Sequence, residues 1–313
     1  MRTTLRLLAA AALAVPLALT AADAAGGKTK ELKHVNWSWT GFAGGYDQLQ
    51  LQRGYQVYRE VCASCHGLDL VAFRHLGEDG GPYHLDECPE ELGLPASTDC
   101  SIPASNPFVK AIAADYQIDT IDDVGDVVQR PGIPADYHPA PYANKQQAIA
   151  ANGGAYPPDQ SLIAKARPHG PEYIYSLLTG YVGLPNGPAE LPEMLEIPAG
   201  QYYNPFYPGD TASLVKDEYM DEEGHLIGGG ELPYGGAFKM APPIIADCQV
   251  TYEDGSDCSI DALAKDVTAF LMWSAEPKLE QRKAMGQFVL IYLLVFAGIL
   301  YASYKQIWRN VAH

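Results

Sequence analysis

The chain contains the sequence Cys62-Ala-Ser-Cys65-His66, in which a histidine directly follows two closely spaced cysteines. Such a cluster of thiol and imidazole groups fits three kinds of site: a zinc site, a redox-active disulfide and a covalently attached haem. Each of these sites requires a different fold in the residues around it. The motif is therefore the feature of the sequence that most restricts the structure.

The rest of the sequence favours the haem interpretation. A structural zinc site commonly uses a second cysteine pair at matching spacing, and the other four cysteines stand much farther apart. A thioredoxin-like motif begins a helix after a strand, whereas apolar residues at helical spacing in 45–61 predict that this motif ends a helix. In haem c the two thiols bind the porphyrin vinyl groups and the histidine binds the iron. The motif therefore predicts one haem c, held by Cys62 and Cys65 with His66 on the iron.

Both ends of the chain carry apolar stretches typical of membrane-targeting signals. Residues 1–24 have a basic start, a run of leucine and alanine and an Ala22-Asp-Ala24 ending, which predicts a cleaved signal peptide. Residues 285–304 contain no charged side chain and would span about 30 Å as a helix, enough for a bilayer core. We therefore expect an exported domain over 25–284, one transmembrane anchor and a cytoplasmic tail over 305–313.

Export places the cysteines outside the cytoplasm, where free thiols tend to form disulfides. Four cysteines lie outside the motif, and they allow three connectivities. Pairing Cys88 with Cys100 and Cys248 with Cys258 gives the simplest arrangement, because each bond closes a short loop. The sequence alone leaves the other pairings open.

The formal net charge is −17, from 21 basic and 38 acidic residues. Nucleic acid is disfavoured as a partner, because it is itself a polyanion. A negative surface near an exposed haem edge would attract a basic protein and accelerate its encounter. Residues 115–126 and 217–223 are candidate docking patches, and the alternative is that the acidity serves solubility alone.

Helices are predicted where apolar residues recur at helical spacing, with Pro171 in one first turn and with Gly180 and Ser259 as caps. The predicted helices cover 45–61, 106–114, 170–181 and 259–277. Segments rich in proline, glycine and aspartate separate them and predict long loops. A chain with so much loop needs a central group to pack against, and a large flat cofactor would serve.

The second axial ligand decides whether the haem carries electrons or binds a substrate, because an open position admits peroxide or oxygen. Met240 is followed by Pro242 and Pro243, which hold the chain extended and would present the sulfur to a flat ring. His75 is the main rival, since it lies close to the motif. The remaining methionines after Met1 have no such context: Met194, Met220, Met272 and Met285.

Several stretches together resemble the cytochrome c1 family, the haem subunits of the cytochrome bc1 (ubiquinol–cytochrome c oxidoreductase) complex, and here its bacterial type. They occur in the family's order from about His34 to the C-terminus: RGYQVYREVCASCHGLDLVAFRHL, RPGIPADYHPAPYAN, AANGGAYPPDQSLIAKAR, EYIYSLLTGY, YYNPFYPG, KMAPPI and AKDVTAFLMWSAEPKLEQRKAMG. The resemblance implies a mainly α fold: a class I cytochrome c-like haem domain with long loop insertions, plus one C-terminal transmembrane helix. The chain departs from the family in an acidic insertion at about 210–239 and in its four additional cysteines.

The resemblance also implies roles for individual residues. Cys62 and Cys65 would form the thioether bonds, and His66 and Met240 would be the two axial ligands. Arginine suits a propionate because its guanidinium binds a carboxylate through two parallel hydrogen bonds. Further haem contacts are implied for Asn152, Pro157 and Pro158 at the ring edge, Arg167 and Tyr173 at the propionates, and Tyr58 and Arg74 in the surroundings.

By the same resemblance the protein is an electron relay and not an enzyme by itself. Electrons would come from the Rieske iron–sulfur protein and leave to a soluble basic cytochrome c. Cytochrome b and membrane lipid would be further partners, in a dimeric complex of a bacterial inner membrane with the haem domain in the periplasm. Two alternatives stay open: a membrane-anchored haem enzyme such as a peroxidase, and a c-type subunit of another respiratory or photosynthetic assembly.

Overall fold

The computed structural model describes residues 28–223 and 225–310, so the predicted signal peptide over 1–24 lies outside the described residues. The described chain forms seven α-helices and two small antiparallel sheets. The helices are α1 Gln48–Val57, α2 Pro107–Ala114, α3 Lys145–Ala151, α4 Ile163–Ala166, α5 Gly170–Thr179, α6 Ile260–Ala275 and α7 Leu279–Trp308. The strands are β1 Gln117–Ile121, β2 Val127–Pro131, β3 Tyr202–Asn204 and β4 Gly236–Phe238. Most described residues lie in loops and short turns. The prediction of a mainly α fold therefore holds for the helices that form the main hydrophobic core, but not for the described chain as a whole.

The main hydrophobic core is built around α6. Helices α1, α4 and α5 all pack against it. Ser259 caps α6 by accepting a hydrogen bond from Ala262 N, which confirms the predicted cap, and Asp47 caps α1 in the same way through Gln50 N. The largest buried side chains of this core come from both helices and from the segment after the motif: Leu51, Tyr55, Leu68, Phe73, Leu76, Phe270 and Trp273.

Gly54, a weak helix former inside α1, lies where α1 and α6 approach most closely. A Cβ at this position would be 2.0 Å from the carbonyl oxygen of Asp266 and 2.8 Å from Phe270 Cβ. The same crossing holds an ion pair, because Arg53 Nε lies 3.0 Å from the buried carboxylate of Asp266. The glycine therefore permits the close approach of two helix backbones.

The substitution Gly54→Ala is expected to lower the free energy of unfolding by about 2 kcal/mol or more, because the added methyl forces the two helices apart. Chemical denaturation of the haem-loaded full chain measures the loss. The matched control is Gly286→Ala in α7, where an added Cβ meets nothing within 4 Å. We expect the control to change stability by less than about 0.5 kcal/mol, and equal effects of the two variants would contradict the close crossing.

Segments predicted as loops contain two sheets and two short helices, α3 and α4. The β1–β2 hairpin pairs Ile118 with Arg130 and Ile121 with Val127, and it carries much of the acidic stretch 115–126. The prediction missed this hairpin, because its apolar residues are few, are largely exposed and alternate with aspartates. It also missed α3, which is short and begins at an asparagine cap, Asn144.

The acidic insertion at 210–239 folds around a small hydrophobic core of its own. Strand β3 precedes the insertion and β4 lies near its end, and the two strands pair with Asn204 opposite Gly236. The pairing therefore brings the two ends of the insertion together, and Met240 lies two residues after the end of β4. Residues of the small core come from the chain before the insertion and from the insertion itself: Leu195, Tyr203, Leu214 and Val215, with Met194 and Met220 packed against them.

The structure pairs Cys88 with Cys100 and Cys248 with Cys258, the arrangement that the short loops favour. Within the described chain, the cysteines that form no disulfide are the two of the motif.

Helix α7 is long and apolar enough to cross a membrane, by length and composition, and it is the one such helix among the described residues. It extends beyond the predicted segment 285–304 at both ends.

Candidate functional site

The motif lies at the end of α1, as the sequence predicts. The helix continues as a π-helical turn, Tyr58–Cys62, in which Ala63 N donates to Tyr58 O at 2.8 Å. The backbone nitrogens of Cys65 and His66 then both donate to Cys62 O, at 3.1 and 2.9 Å. Such π turns inside helices often occur at functional sites. Here the tight turn brings two thiols and an imidazole together within a few residues.

The two thiols differ in their surroundings. Cys62 is buried and Cys65 is partly exposed. Burial raises the pKa of the Cys62 thiol to about 12, so this group stays protonated at neutral pH. A redox nucleophile acts as a thiolate, so the burial of Cys62 disfavours a redox-active disulfide at this motif.

The imidazole of His66 is oriented by a backbone carbonyl from a distant segment. Its Nδ1 lies 2.8 Å from the carbonyl oxygen of Pro158 and donates to it. This bond fixes the tautomer and leaves Nε2 with its lone pair for a metal. Burial lowers the pKa of His66, which favours the neutral ring. Tyr58 adds a second support, since its hydroxyl donates to His66 O at 3.1 Å.

The segment around Pro158 is tied to the chain that follows the motif. Gln160 N donates to Gly67 O at 2.9 Å, and the Asp159 carboxylate accepts from Asp69 N at 2.7 Å. Pro157 lines a cleft that also contains Cys65. The motif and the predicted edge residues Pro157 and Pro158 therefore lie side by side.

Asn152 has a capping role in this segment. Its side-chain nitrogen donates to Ala148 O at 2.7 Å and to the Tyr142 hydroxyl at 3.0 Å, so it closes the end of α3. Ala148 and Tyr142 line the same cleft as Pro157. Asn152 thus supports the wall of the cleft through its neighbours.

Met240 is held through its own backbone carbonyl and through the side chain of the preceding lysine. The Tyr181 hydroxyl donates to Met240 O at 3.1 Å, and the neighbouring Lys239 Nζ donates to Gly153 O at 2.5 Å. The second bond connects the Met240 segment to the segment that carries Asn152 and Pro158.

The other methionines of the described chain have different environments. Met194 and Met220 pack in the small core, Met272 packs against the main core, and Met285 is exposed on α7. The rival His75 is engaged in its own turn. Its Nδ1 accepts from Ala72 N at 3.1 Å, and its Nε2 lies 4.0 Å from the Glu78 carboxylate.

Arg167 and Tyr173, the predicted propionate residues, are neighbours. Burial raises the pKa of Tyr173, and the adjacent Arg167 guanidinium partly opposes this shift. Tyr207 is a further neighbour of Tyr173, and its ring stacks on Phe238 with centroids 4.5 Å apart. Phe238 lies two positions before Met240, so aromatic rings connect the predicted propionate residues to the predicted axial ligand.

Arg74 lies apart from this group. Its guanidinium packs over the Tyr137 ring, and Nη1 lies 3.4 Å from Ala135 O. Conversely, sequence reasoning did not single out four residues that build the site: Tyr181, Tyr207, Phe238 and Lys239. Phe238 and Lys239 are visible as neighbours of Met240. Tyr181 and Tyr207 lie in stretches that resemble the family, EYIYSLLTGY and YYNPFYPG, but no pattern distinguishes them from the other tyrosines there.

The side chains brought together fit a covalently attached haem. Two thiols that form no disulfide lie on one turn, and the adjacent imidazole keeps Nε2 for a metal. The segment 153–158 is bonded to His66 through Pro158 O and to Lys239, next to Met240, through Gly153 O. Two thiols, an imidazole with a free Nε2 and a methionine on a connected segment are the residue types that haem c requires.

Comparison with known proteins gives consistent matches over most of the chain. The sequence model of the Cytochrome C1 family matches residues 37–311. A protein named cytochrome b/c1 from Bradyrhizobium diazoefficiens is 41% identical over 287 residues; the match covers 88% of this chain but 35% of that longer protein. Cytochrome c1 of Rhodospirillum rubrum is 40% identical over 292 residues, with 90% and 89% of the two chains covered. Cytochrome c1 1, heme protein, mitochondrial, of Arabidopsis thaliana is 37% identical over 276 residues, with 88% and 71% covered. The chain therefore belongs to the cytochrome c1 family.

Proposed function

We propose that the chain is the haem-bearing electron-transfer subunit of a ubiquinol–cytochrome c oxidoreductase (bc1) complex. It passes single electrons from the Rieske iron–sulfur protein to a soluble basic cytochrome c. The observation that carries this proposal is that one segment, 153–158, is bonded at both of its ends: Pro158 O accepts from His66, and Gly153 O accepts from Lys239, the residue before Met240. When bound, the haem supplies a one-electron iron couple.

In this proposal each residue of the site has a structural task. Cys62 and Cys65 attach the ring, and Pro158 orients the His66 imidazole through its carbonyl oxygen. Met240 would hold the iron together with His66, and an iron held by both residues would offer no position to peroxide or oxygen and would have a raised reduction potential. A closed site of this kind favours electron transfer over the peroxidase alternative, because a peroxidase needs an open iron position.

The propionates and the ring edge would be held by the remaining predicted residues. Arg167 and Tyr173 offer a guanidinium and a hydroxyl at one side of the site, a suitable pair for a carboxylate. Pro157 lines the cleft beside Cys65 and would contact the ring edge there. Asn152 closes the end of α3 and would support the cleft wall through Ala148.

The proposed placement is a single-pass protein of a bacterial inner membrane. Residues 1–24 direct export, the haem domain over 25–284 lies in the periplasm, 285–304 crosses the bilayer and 305–313 remain in the cytoplasm. The apolar character of α7 supports the anchor, and the matching name cytochrome b/c1 of one relative supports cytochrome b as a partner. The complex is proposed to be dimeric, as the family resemblance implies.

Two acidic surfaces are candidates for docking the basic acceptor. Asp119, Asp123 and Asp126 are exposed on the β1–β2 hairpin, and the second surface lies on the insertion between Asp217 and Glu223. Attraction between such a surface and a basic cytochrome c weakens as salt screens it.

The test uses the complex extracted from membranes with a mild detergent by means of a tag on this chain. We expect cytochrome b and the iron–sulfur protein to co-purify, and ubiquinol to reduce the haem of this chain. Added basic cytochrome c should then be reduced at a rate that falls as salt rises. Purification without cytochrome b would instead favour another assembly, and carbon monoxide binding to the native reduced haem would favour a haem enzyme.

A further inference from the structure

A loop of uncharged residues, 38–45, wraps around the first turns of α7. Lys283 lies at its centre, and its Nζ donates to three backbone carbonyls: Trp39, Gly41 at 2.8 Å and Gly44 at 3.0 Å. An ammonium group has three hydrogens, so the loop provides a partner for each. The charge that precedes the apolar segment most closely is therefore fully hydrogen-bonded by the protein's own backbone.

Two more bonds attach the loop along the helix. The Glu280 carboxylate accepts from Tyr46 N at 2.6 Å, and Gln287 Nε2 donates to Phe42 O at 3.1 Å. At 1.5 Å per residue, Gln287 lies about 6 Å farther along the helix than Lys283. Because Gln287 belongs to the apolar segment 285–304, the tip of the loop reaches past the point where that segment begins.

The tip exposes an aromatic side chain. Phe42 is 66% exposed and is flanked by Gly41 and Ala43, which are also exposed. In contrast, Trp39 at the base of the loop is 5% exposed and stacks on Trp37, with ring centroids 4.8 Å apart. The base is therefore fixed in the core, while Phe42 projects beside the exposed surface of α7, where Phe288 is 75% exposed.

We propose that the loop 38–45 is a lipid-contacting foot, whose Phe42 enters the boundary between headgroups and acyl chains of the bilayer. This inference rests on the proposed anchor at 285–304. Aromatic side chains are enriched at this depth, and charged groups are costly there unless they are paired. Lipid is the expected occupant because Phe42 continues the exposed apolar surface of the helix that crosses the bilayer.

The foot can be tested with a spin label at position 42. The native cysteines are engaged in the motif and in two disulfides, so the substitution Phe42→Cys adds a single reactive thiol to the haem-loaded protein. The labelled complex is placed in phosphatidylcholine vesicles with its haem reduced. Electron paramagnetic resonance then compares collisions of the label with oxygen, which partitions into lipid, and with a water-soluble nickel chelate.

Two further labelled variants provide the controls. Val124→Cys places the label on the β1–β2 turn, where Val124 is 82% exposed, and Ile299→Cys places it within α7, where Ile299 is 59% exposed. We expect the label at 42 to collide more with oxygen than with the nickel chelate, as at 299, and the ratio to be reversed at 124.

A label at 42 that meets the nickel chelate as often as the one at 124 would place the loop in water and overturn the foot. Protection from both reagents would show a protein partner at Phe42 and would also overturn it. Nickel access at 299 would overturn the anchor itself, which separates the two proposals.

A second measurement needs no substitution. Phospholipid with a diazirine in the upper acyl chain should form adducts on the peptide that contains Phe42. Adducts confined to α7 would count against the foot.

Discussion

The substitution Met240→Leu is expected to lower the reduction potential of the haem by about 0.1 V or more, within the range of about 0.8 V that axial ligation spans. Leucine preserves much of the volume of methionine but has no sulfur to bind iron. The iron would lose its closed coordination, so the reduced protein should gain carbon monoxide binding. Electron transfer from the iron–sulfur protein should become unfavourable. Redox titration and optical spectra of the purified complex measure these changes.

The matched control is Met272→Leu. Met272 is partly buried against the main core, where this volume-conserving change costs less than about 1.5 kcal/mol. We expect the control to keep the wild-type potential and spectrum. If Met240→Leu also kept both, Met240 would not be the ligand, and His75 would become the residue to test.

The parts of the fold that the sequence predicts well depend on local patterns. Three helix boundaries follow from residues within one or two turns of each other. They are the end of α1 at the motif, the start of α6 at its cap Ser259, and the end of α5 at Gly180. The apolar segment 285–304 is likewise predicted, because length and composition decide whether a helix can cross a bilayer. These features need no knowledge of distant contacts.

The contacts that assemble the site could not be predicted in this way. The bond from His66 to Pro158 O joins residues 92 positions apart, and the bond from Lys239 to Gly153 O joins residues 86 apart. A proline in the sequence gives no sign that its carbonyl orients an imidazole. The family resemblance implied that Pro158 lies near the haem, and the structure adds the bond by which it acts on His66.

The role of Gly54 is a further feature that the sequence did not reveal. In the sequence it is a weak point within a predicted helix. In the fold it is the place where α1 meets the backbone of Asp266 on α6. Propensity describes one helix at a time, so it misses a requirement that arises from packing between two helices.

Pairing of β3 with β4 explains why the acidic insertion need not disturb the site. The pairing of Asn204 with Gly236 joins the two ends of the insertion, and its small core buries Leu214 and Val215 away from the main core. A long loop with closed ends adds little conformational freedom to its flanking residues. The position of Met240 is therefore fixed by the paired strands and by the hydrogen bond from Tyr181, and it does not depend on the length of the insertion.

Replacing both motif cysteines, Cys62→Ala with Cys65→Ala, is expected to abolish covalent haem attachment, because no thiol remains on the motif to bond the vinyl groups. Haem staining after a denaturing gel should show no signal for this chain. The effect should extend to folding: the motif turn connects α1 to the core, and the loops around the site have few apolar partners apart from the cofactor. We therefore expect little of the doubly substituted protein to accumulate.

A second double variant separates loss of haem from loss of a sulfur bond in general. Cys88→Ala with Cys100→Ala opens a disulfide whose residues are 12 positions apart, and the expected loss of stability is about 3 kcal/mol from the entropy of the opened loop. This variant should keep its haem stain and its optical spectrum while it unfolds at lower denaturant concentration. If it lost the stain as completely as the motif variant, general misfolding would explain both results. If the motif variant kept the stain, Cys62 and Cys65 would not be the attachment residues.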